Sequence, residues 1–424
     1  MIERGRKSTM PNKKQLYRAI LISAFVSHCA VAMVFDNRHL PLLQRPRLTV
    51  DGTRNEFAAK LFVTTANEAL NDRQEGIPLG ELYGTFDQVQ LAKGIAAQGN
   101  QNPLPSEYQG IVSRIPWDVG GKRQAQGVAF AWNQSIVKWL STGFSWLFMR
   151  SVSRFDFKLN SNGIEPNIAI TSGDAILLDD NRRDMFEQVH MCDGAVTQLG
   201  FGDIDWYLRL GHMWEYSYKF RRIDAGFRLG ALFPTGVTTE PGKPASIPFG
   251  GNGHWGIYAA GDALFELKED WKAGFLLRVN KRFSKIQTMR VPIETEPQIF
   301  ASAVADVNVS PAVTAIFSPY FLFENLREGL ALGLNFTLTW HGKDCYEDTC
   351  CDRTAPLNLD AVRDYSDWTS EYFTLNILYD FGKMKIHRDF NPILTFRWDI
   401  PSTLFTASRI DKTQRVSLGV DFLY

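Results

Sequence analysis

Apolar and polar positions alternate with a period of two, again and again, along most of this chain. From Leu330 to His341, Leu330, Leu332, Leu334, Phe336, Leu338 and Trp340 share one parity. Ala331, Gly333, Asn335, Thr337, Thr339 and His341 share the other. Leu394, Phe396, Trp398 and Ile400 alternate with Thr395, Arg397 and Asp399; Ile204, Trp206, Leu208 and Leu210 alternate with Asp203, Asp205, Tyr207, Arg209 and Gly211. The same holds for Ile223–Phe233 against Arg222, Asp224, Gly226, Arg228 and Gly230, and for Phe373–Phe381 against Thr374, Asn376 and Asp380. Successive strand side chains point to opposite faces, so each segment predicts a strand with one apolar and one polar face.

A soluble antiparallel sandwich would alternate too. Three features point to a membrane barrel instead. Many runs reach the roughly 9–11 residues that a tilted strand needs to cross a bilayer. Their apolar faces end in aromatics (Trp206, Trp255, Trp340, Trp398, Tyr379 and Phe381), as the interfacial girdles of barrels do. The opposite face is small or charged, which suits a wet lumen. Connections alternate as well: long polar stretches such as Asn160–Gly200 and Pro234–His254 follow or precede tight ones such as Tyr216–Lys219 and Lys268–Asp270. Long extracellular loops and short periplasmic turns produce that rhythm.

Strands are predicted near 54–66, 122–136, 137–159, 201–216, 219–233, 254–268, 271–285, 297–309, 311–317, 319–325, 329–341, 368–382, 391–402 and 412–424. The expected fold is therefore an all-β, antiparallel transmembrane barrel of 12–14 strands. Fourteen strands follow from the full set, and twelve if the short pieces within 297–329 merge. The barrel is expected over 54–424, with long loops at 67–121, 160–200, 234–253 and 342–367. Within the first loop, Thr85–Ala97 has helical spacing, and a short helix is expected near 86–97, either as a partial plug or as a surface helix.

Composition narrows the class further. Lys plus Arg and Asp plus Glu both total 46, so no basic excess marks a nucleic-acid binder. No apolar run approaches the roughly 18 residues of a membrane-spanning helix. The first 18 residues hold Arg4, Arg6, Lys7, Lys13, Lys14 and Arg18, and an apolar stretch from Ala19 leads to Ala30-Val31-Ala32. That order matches a secretory signal peptide over 1–32, followed by a short periplasmic segment at 33–53. Its removal takes six basic residues and one acid, leaving a mature chain at a formal charge of about −5.

Four cysteines then remain: Cys192, Cys345, Cys350 and Cys351. Cys345 with Cys350 or Cys351 could close a small disulfide loop in an oxidising compartment. The flanking Asp344, Glu347, Asp348 and Asp352 offer metal-binding oxygens, but no second ligand cluster supports a zinc site of standard spacing. No metal or cofactor is expected.

The last strand carries a second address. Val416, Leu418, Val420, Phe422 and Tyr424 form one apolar face that runs to the chain end, with Ser417 and Gly419 between them. A polar residue, a glycine two later, and aromatics at the antepenultimate and last positions resemble the C-terminal assembly signal of Gram-negative outer-membrane proteins. The resemblance implies an outer-membrane location, contact with its lipid, and recognition of the last strand by the barrel-assembly machinery. Strand addition at an exposed edge is a physical route to such recognition.

A narrower resemblance rests on Gly200-Phe201-Gly202-Asp203-Ile204, then Gly230-Ala231-Leu232-Phe233-Pro234-Thr235-Gly236, then Gly250-Gly251-Asn252-Gly253-His254-Trp255. This order is similar to barrels of the phenol-degradation MetA-like and long-chain fatty-acid transporter type. It implies uptake of small apolar or amphipathic molecules.

Three function classes stay open on the sequence. A channel for small solutes is favoured by the inward charges Asp203, Asp205, Arg209, Asp224, Arg228, Glu266, Arg278, Arg397, Asp399 and Asp421, which would line the pore. The same groups could instead pair across the lumen and fill it. A surface adhesin or structural barrel could use the loops at 160–200 and 342–367. A barrel hydrolase would need a nucleophile and base around His212, His254 or His341, yet no spacing singles out a triad. The expected role is transport of a small-molecule solute, not enzymatic.

Overall fold

Alternation of this kind can be satisfied on both faces only if the sheet has no free edge, because an unpaired strand edge in lipid leaves backbone N–H and C=O groups without partners. A computed structural model of the chain describes residues 55–166, 170–216, 220–350, 353, 355–383 and 391–424. The expected signal peptide and periplasmic segment lie outside the described residues. Twelve strands close a barrel: β1 Glu56–Ala66, β2 Pro116–Val137, β3 Leu140–Leu159, β4 Ile204–Glu215, β5 Arg222–Phe233 and β6 Gly256–Lys268 form one half. The other half is β7 Trp271–Arg282, β8 Val313–Arg327, β9 Leu330–His341, β10 Trp368–Asp380, β11 Asn391–Pro401 and β12 Gln414–Leu423. Every strand pairs antiparallel with its sequence neighbour, and β12 returns to β1 to shut the cylinder.

The closing seam shows where the C-terminal residues go. Phe422 pairs with Phe57, Ser417 with Phe62 and Gly419 with Lys60. A Cβ at Gly419 would meet the Lys60 stem 2.5 Å away, so glycine lets that side chain cross the seam. Tyr424 accepts a hydrogen bond from the Trp132 indole at 2.9 Å.

The count of twelve corrects the fourteen-strand alternative at two places. The two pieces expected at 311–317 and 319–325 fall in one strand, β8, which starts at Val313 and runs through Pro319. Its ladder to β7 is unbroken, whereas the ladder to β9 skips from the Phe317–Leu338 pair to the Tyr320–Asn335 pair. A proline has no amide hydrogen to give a ladder, and only one ladder is interrupted. The segment 297–309 is not a barrel strand: Ala303–Ser310 pairs with Lys285–Val291 and Cys345–Asp348 in a small sheet built from loops.

The outward parity is apolar along the wall between the two rims, with Leu208, Leu229, Leu277, Leu334 and Leu418 among its exposed residues. Aromatic contacts mark both rims. Near the short turns, Trp271 meets Phe323 at 4.6 Å between ring centroids and Tyr379 meets Phe381 at 5.0 Å. Near the long loops, Trp146 stacks on Phe201 at 4.2 Å and Phe233 meets Trp255 at 5.1 Å. No helix among the described residues is long and apolar enough to cross a membrane.

Above the long-loop rim, β2 and β3 continue as a hairpin of 22 and 20 residues. It carries a cap with its own apolar core. Helix α1, Gln88–Ala97, falls where a short helix was expected and is N-capped by Asp87. It buries Val89, Leu91 and Ile95 in a cluster shared with Trp117, Phe155, Phe300 and Phe186, the last on helix α2, Ser172–Gln188. The helix is thus a core element of the cap, not a surface helix.

Replacing Leu334 or Leu277 by Arg puts a charge on the outward face near mid-strand and is expected to cost about 2–4 kcal/mol. Refolding equilibria in lipid bilayers check this; an unchanged midpoint contradicts the lipid-facing assignment.

Candidate functional site

The ten charges expected in the lumen all lie on the inward parity, and the structure gathers them into paired clusters. On the β4–β7 wall, Arg209 and Arg228 both reach Asp262, at 2.7 and 2.8 Å, and Arg209 also reaches Asp224 at 3.0 Å. Arg278 pairs with Asp205 at 2.6 Å while its guanidinium lies 3.6 Å from the Tyr258 ring centroid, and Tyr258 donates its hydroxyl to Asp205. Lower on this wall Glu266 holds Arg222 at 3.0 Å. On the β10–β12 wall, Asp399 takes Arg397 at 2.8 Å, Arg415 at 2.7 Å and the Thr374 hydroxyl at 2.6 Å. Asp421 accepts from Thr395 at 3.0 Å and faces Lys60 at 3.8 Å. The pairs therefore run along each wall, some between adjacent strands such as Arg228–Asp262 and others spanning further, as Arg278 of β7 does in reaching Asp205 at the start of β4.

Asp262, Arg282, Arg415 and Lys60 were missed as site residues, although strand parity could have found them. Asp262 shares its face with Glu266, Arg282 with Arg278, and Arg415 with Ser417 and Asp421. Weak alternation hid two of them, since Gly261-Asp262-Ala263 and Ala58-Ala59-Lys60 contain little bulk on either side.

Asp203 does something different. It pairs with Arg282 at 2.9 Å and accepts the backbone amides of Gly236 at 3.1 Å and Gly251 at 2.6 Å. Those two glycines stand at opposite ends of one loop, 234–255, so a single carboxylate pins both ends of it. A Cβ on Gly250 would overlap the Asp203 carboxylate, and one on Gly202 would sit 2.8 Å from the Phe249 carbonyl. Thr235 adds a hydroxyl bond to the Gly202 carbonyl at 2.8 Å. The three glycine-rich motifs of the sequence thus meet at one point.

Pinned this way, the loop turns into the barrel. Ile247 and Phe249 are buried, in one apolar cluster with Phe62 of β1, Ala125 of β2, Met149 of β3 and Tyr372 of β10. The Ile247 amide is taken by the Gln198 side chain at 2.8 Å. The element that enters the lumen is this loop rather than α1. Beside it, at the long-loop mouth, lies a cavity of about 440 Å3. Its wall combines Leu147, Tyr207, Leu232, Ile247 and Phe249 with the polar heads of Asp203, Asp205, Arg228, Arg278 and Arg282. Arg209, Asp224, Glu266, Arg397, Asp399 and Asp421 lie away from this cavity.

Two loop residues on the cavity have perturbed acid–base behaviour. Burial pushes the His254 imidazole down from its ordinary range, aided by nearby Arg282 and Lys285. Its Nδ1 lies 2.8 Å from the Phe283 carbonyl, which can only accept, so Nδ1 carries the hydrogen. Burial also lowers Arg290 to about 10; it donates to the carbonyls of Pro241, Ala301, Val189 and His190 and so ties three loops together.

The histidines do not converge on a catalytic centre. His212 packs edge-on to Trp214, and His254 is engaged as described. His341 bridges the Thr314 hydroxyl at 2.7 Å and Asp344 at 2.9 Å, but Asp344 also takes the Ala312 amide, and the string ties β8 and β9 to the next loop. Of the pairings expected for Cys345, with Cys350 or Cys351, the one to Cys350 is not formed, both thiols being free and exposed. Cys345 is held by the ladder to Ser310, while Cys350 sits in a turn that donates its amide to Asp348. Cys351 lies outside the described residues. No group of metal-binding side chains forms among the described residues.

No described protein family matches the chain, and no curated relative matches it either. Among solved structures it is similar to an outer-membrane channel from Pseudomonas putida F1, with TM-score 0.49 and 10% identity over 89% of this chain and 97% of that one. It is also similar to the translocator domain of autotransporter NalP from Neisseria meningitidis, with TM-score 0.34 and 9% identity over 97% and 95%. A Pseudomonas aeruginosa FadL homologue gives TM-score 0.30 and 7% identity over 88% and 90%. These are outer-membrane β-barrels, the class expected from the sequence; the architecture itself is set by the strand pairing described above.

Asp203→Ala removes all three anchors at once. The expected result is faster proteolysis within 234–255 with the barrel intact, since breaking a buried pair costs about 3–5 kcal/mol. Native strand content by infrared spectroscopy with unchanged loop cleavage refutes this. For His254, a depressed folded-state pKa means its stabilising share is complete above the unfolded value of about 6.5 and shrinks as pH falls below it. His254→Gln is expected to remove that acid-dependent drop in thermal midpoint.

Proposed function

We propose that this chain is an outer-membrane channel of a Gram-negative bacterium that passes small amphipathic solutes through a lumen narrowed by the loop at 234–255. The observation that carries the reading is the loop itself, buried by Ile247 and Phe249 inside a closed barrel whose inner wall is charged. A purely structural barrel gains nothing from an eyelet beside a cavity of 440 Å3. Binding sites for small molecules are mostly apolar with a few placed polar groups, and the mix of Leu147, Tyr207 and Leu232 with Arg228 and Arg278 has that character. The long loops then face the exterior and the short turns the periplasm. Ser417, Gly419, Phe422 and Tyr424 would serve assembly, after removal of residues 1–32.

The wall pairs bear on selectivity. Because Arg209, Arg228 and Arg278 are each matched by Asp262, Asp224 and Asp205, the inner wall offers fixed dipoles rather than a net field on that side. Solutes would be sorted by shape and by local hydrogen bonding more than by sign of charge.

Planar-bilayer conductance of the refolded full chain tests the proposal. Wild type is expected to give small, steady currents. Replacing Pro241–Gly250 by a short Gly-Ser link is expected to raise the single-channel conductance severalfold. Silence from both proteins, inserted and folded, overturns the channel reading.

A further inference from the structure

The long hairpin β2–β3 presents an outward face that changes character abruptly. On β3 the outward column runs Phe144, Trp146, Phe148 and then Arg150, Val152, Arg154, Asp156 and Lys158. On β2 it runs Trp132, Phe130, Val128 and then Gln126, Gln124 and Lys122. The change falls at the upper aromatic girdle, where Trp146 stacks on Phe201 and Phe201 pairs with Phe148. Arg150 stands in the next outward row, flanked by Gln126 on one side and by exposed Leu199 on the other.

We propose that this face, centred on Lys122, Arg150 and Arg154, binds the phosphorylated headgroup of an outer-leaflet lipid. Aromatic girdles sit at headgroup level, so cations one row beyond them stand where lipid phosphates lie. Arg150 and Arg154 are four residues apart on one strand, about 13 Å, a span suited to a headgroup with more than one phosphate. Leu199 and Phe201, both exposed, continue the apolar band up to Arg150 and offer a seat for acyl chains.

The register supplies a second argument. Lys122 and Arg154 are direct cross-strand partners, and like charges placed opposite each other weaken a sheet. The carboxylate beside them, Asp156, lies 3.7 Å from Arg154 with both side chains about 60% exposed (59% and 61%), so it compensates little. Neither Lys122 nor Arg150 forms an ion pair among the described residues. A phosphate bridging the two strands would relieve that repulsion through charge-assisted hydrogen bonds. The other strands of the wall stop near the girdle; β4 begins at Ile204 and β6 at Gly256, so the hairpin is where barrel wall and headgroup layer overlap.

The proposal rests on the membrane placement given above but not on transport. Its test uses the full chain refolded in a zwitterionic detergent, titrated with bis-phosphorylated lipid A and with the same lipid after dephosphorylation. Wild type is expected to bind the phosphorylated lipid at least about tenfold more tightly. The triple variant Lys122→Ala, Arg150→Ala, Arg154→Ala is expected to lose on the order of a hundredfold, from roughly fivefold per basic side chain. Lys138→Ala, in the exposed turn at the opposite end, is expected to bind as wild type does. Equal affinity of wild type for the two lipids overturns the proposal even if the triple variant does not fold. So does a folded triple variant with wild-type affinity, or displacement of the lipid by millimolar inorganic phosphate alone. A barrel that binds the phosphorylated lipid yet never conducts sinks the channel and leaves this site standing.

Discussion

One carboxylate holds in place the loop that folds into this cylinder. Asp203 lies where β4 begins, and it accepts two backbone amides from opposite ends of the loop at 234–255 while facing Arg282. A loop folded inward must leave water, and its amides need partners that the lumen wall supplies. A charged acceptor gives stronger bonds than a neutral one and matches the arginine on the adjoining wall. With its ends tied, the loop can hand Ile247 and Phe249 to the apolar patch formed by Phe62, Ala125, Met149 and Tyr372. The glycines around Asp203 follow from the same constraint, because there is no room for a side chain between the carboxylate and the turning backbone.

Strand identity was legible because lipid outside and water inside impose opposite demands on adjacent residues, and the period-two pattern records both. The face assignment of Trp206, Leu334 or Arg397 followed from parity alone. What parity could not show was where a pattern stops belonging to the wall. Residues 303–310 alternate as cleanly as β12 does, yet they pair with loop strands, since a small sheet above the membrane also has one buried face. Pro319 broke a strand in the pattern but not in the fold, because the barrel ladder on the β7 side needs no amide from it.

The candidate site was legible in pieces. Asp203 and the glycine motifs were visible, and so were most of the inward charges, but their grouping was not. Asp262 draws together Arg209 from β4 and Arg228 from β5, and no spacing within a single strand encodes that meeting. The inserted loop was hidden for a related reason: Ala245-Ser246-Ile247-Pro248-Phe249 is too short and too proline-rich to announce itself as a buried element. Its apolar residues make sense only once the patch they cover, drawn from β1, β2, β3 and β10, exists.

The wall pairs and the inserted loop solve one electrostatic problem between them. Many of the inward charges, Arg228, Asp262, Arg278, Asp399 and Arg415 among them, are buried, and an unpaired charge in a desolvated space is costly. Pairing along the wall removes that cost and also adds side-chain cross-links to the backbone ladder. Neutralised walls then tolerate apolar Ile247 and Phe249 close by, which a net field lined by ordered water would resist. The cavity left beside the loop inherits both characters, greasy on the Leu147 and Leu232 side and polar along Arg228, Arg278 and Arg282. Its chemistry is thus a consequence of how the wall disposes of its charges, and changing one pair would alter the loop's seat as well as the local charge.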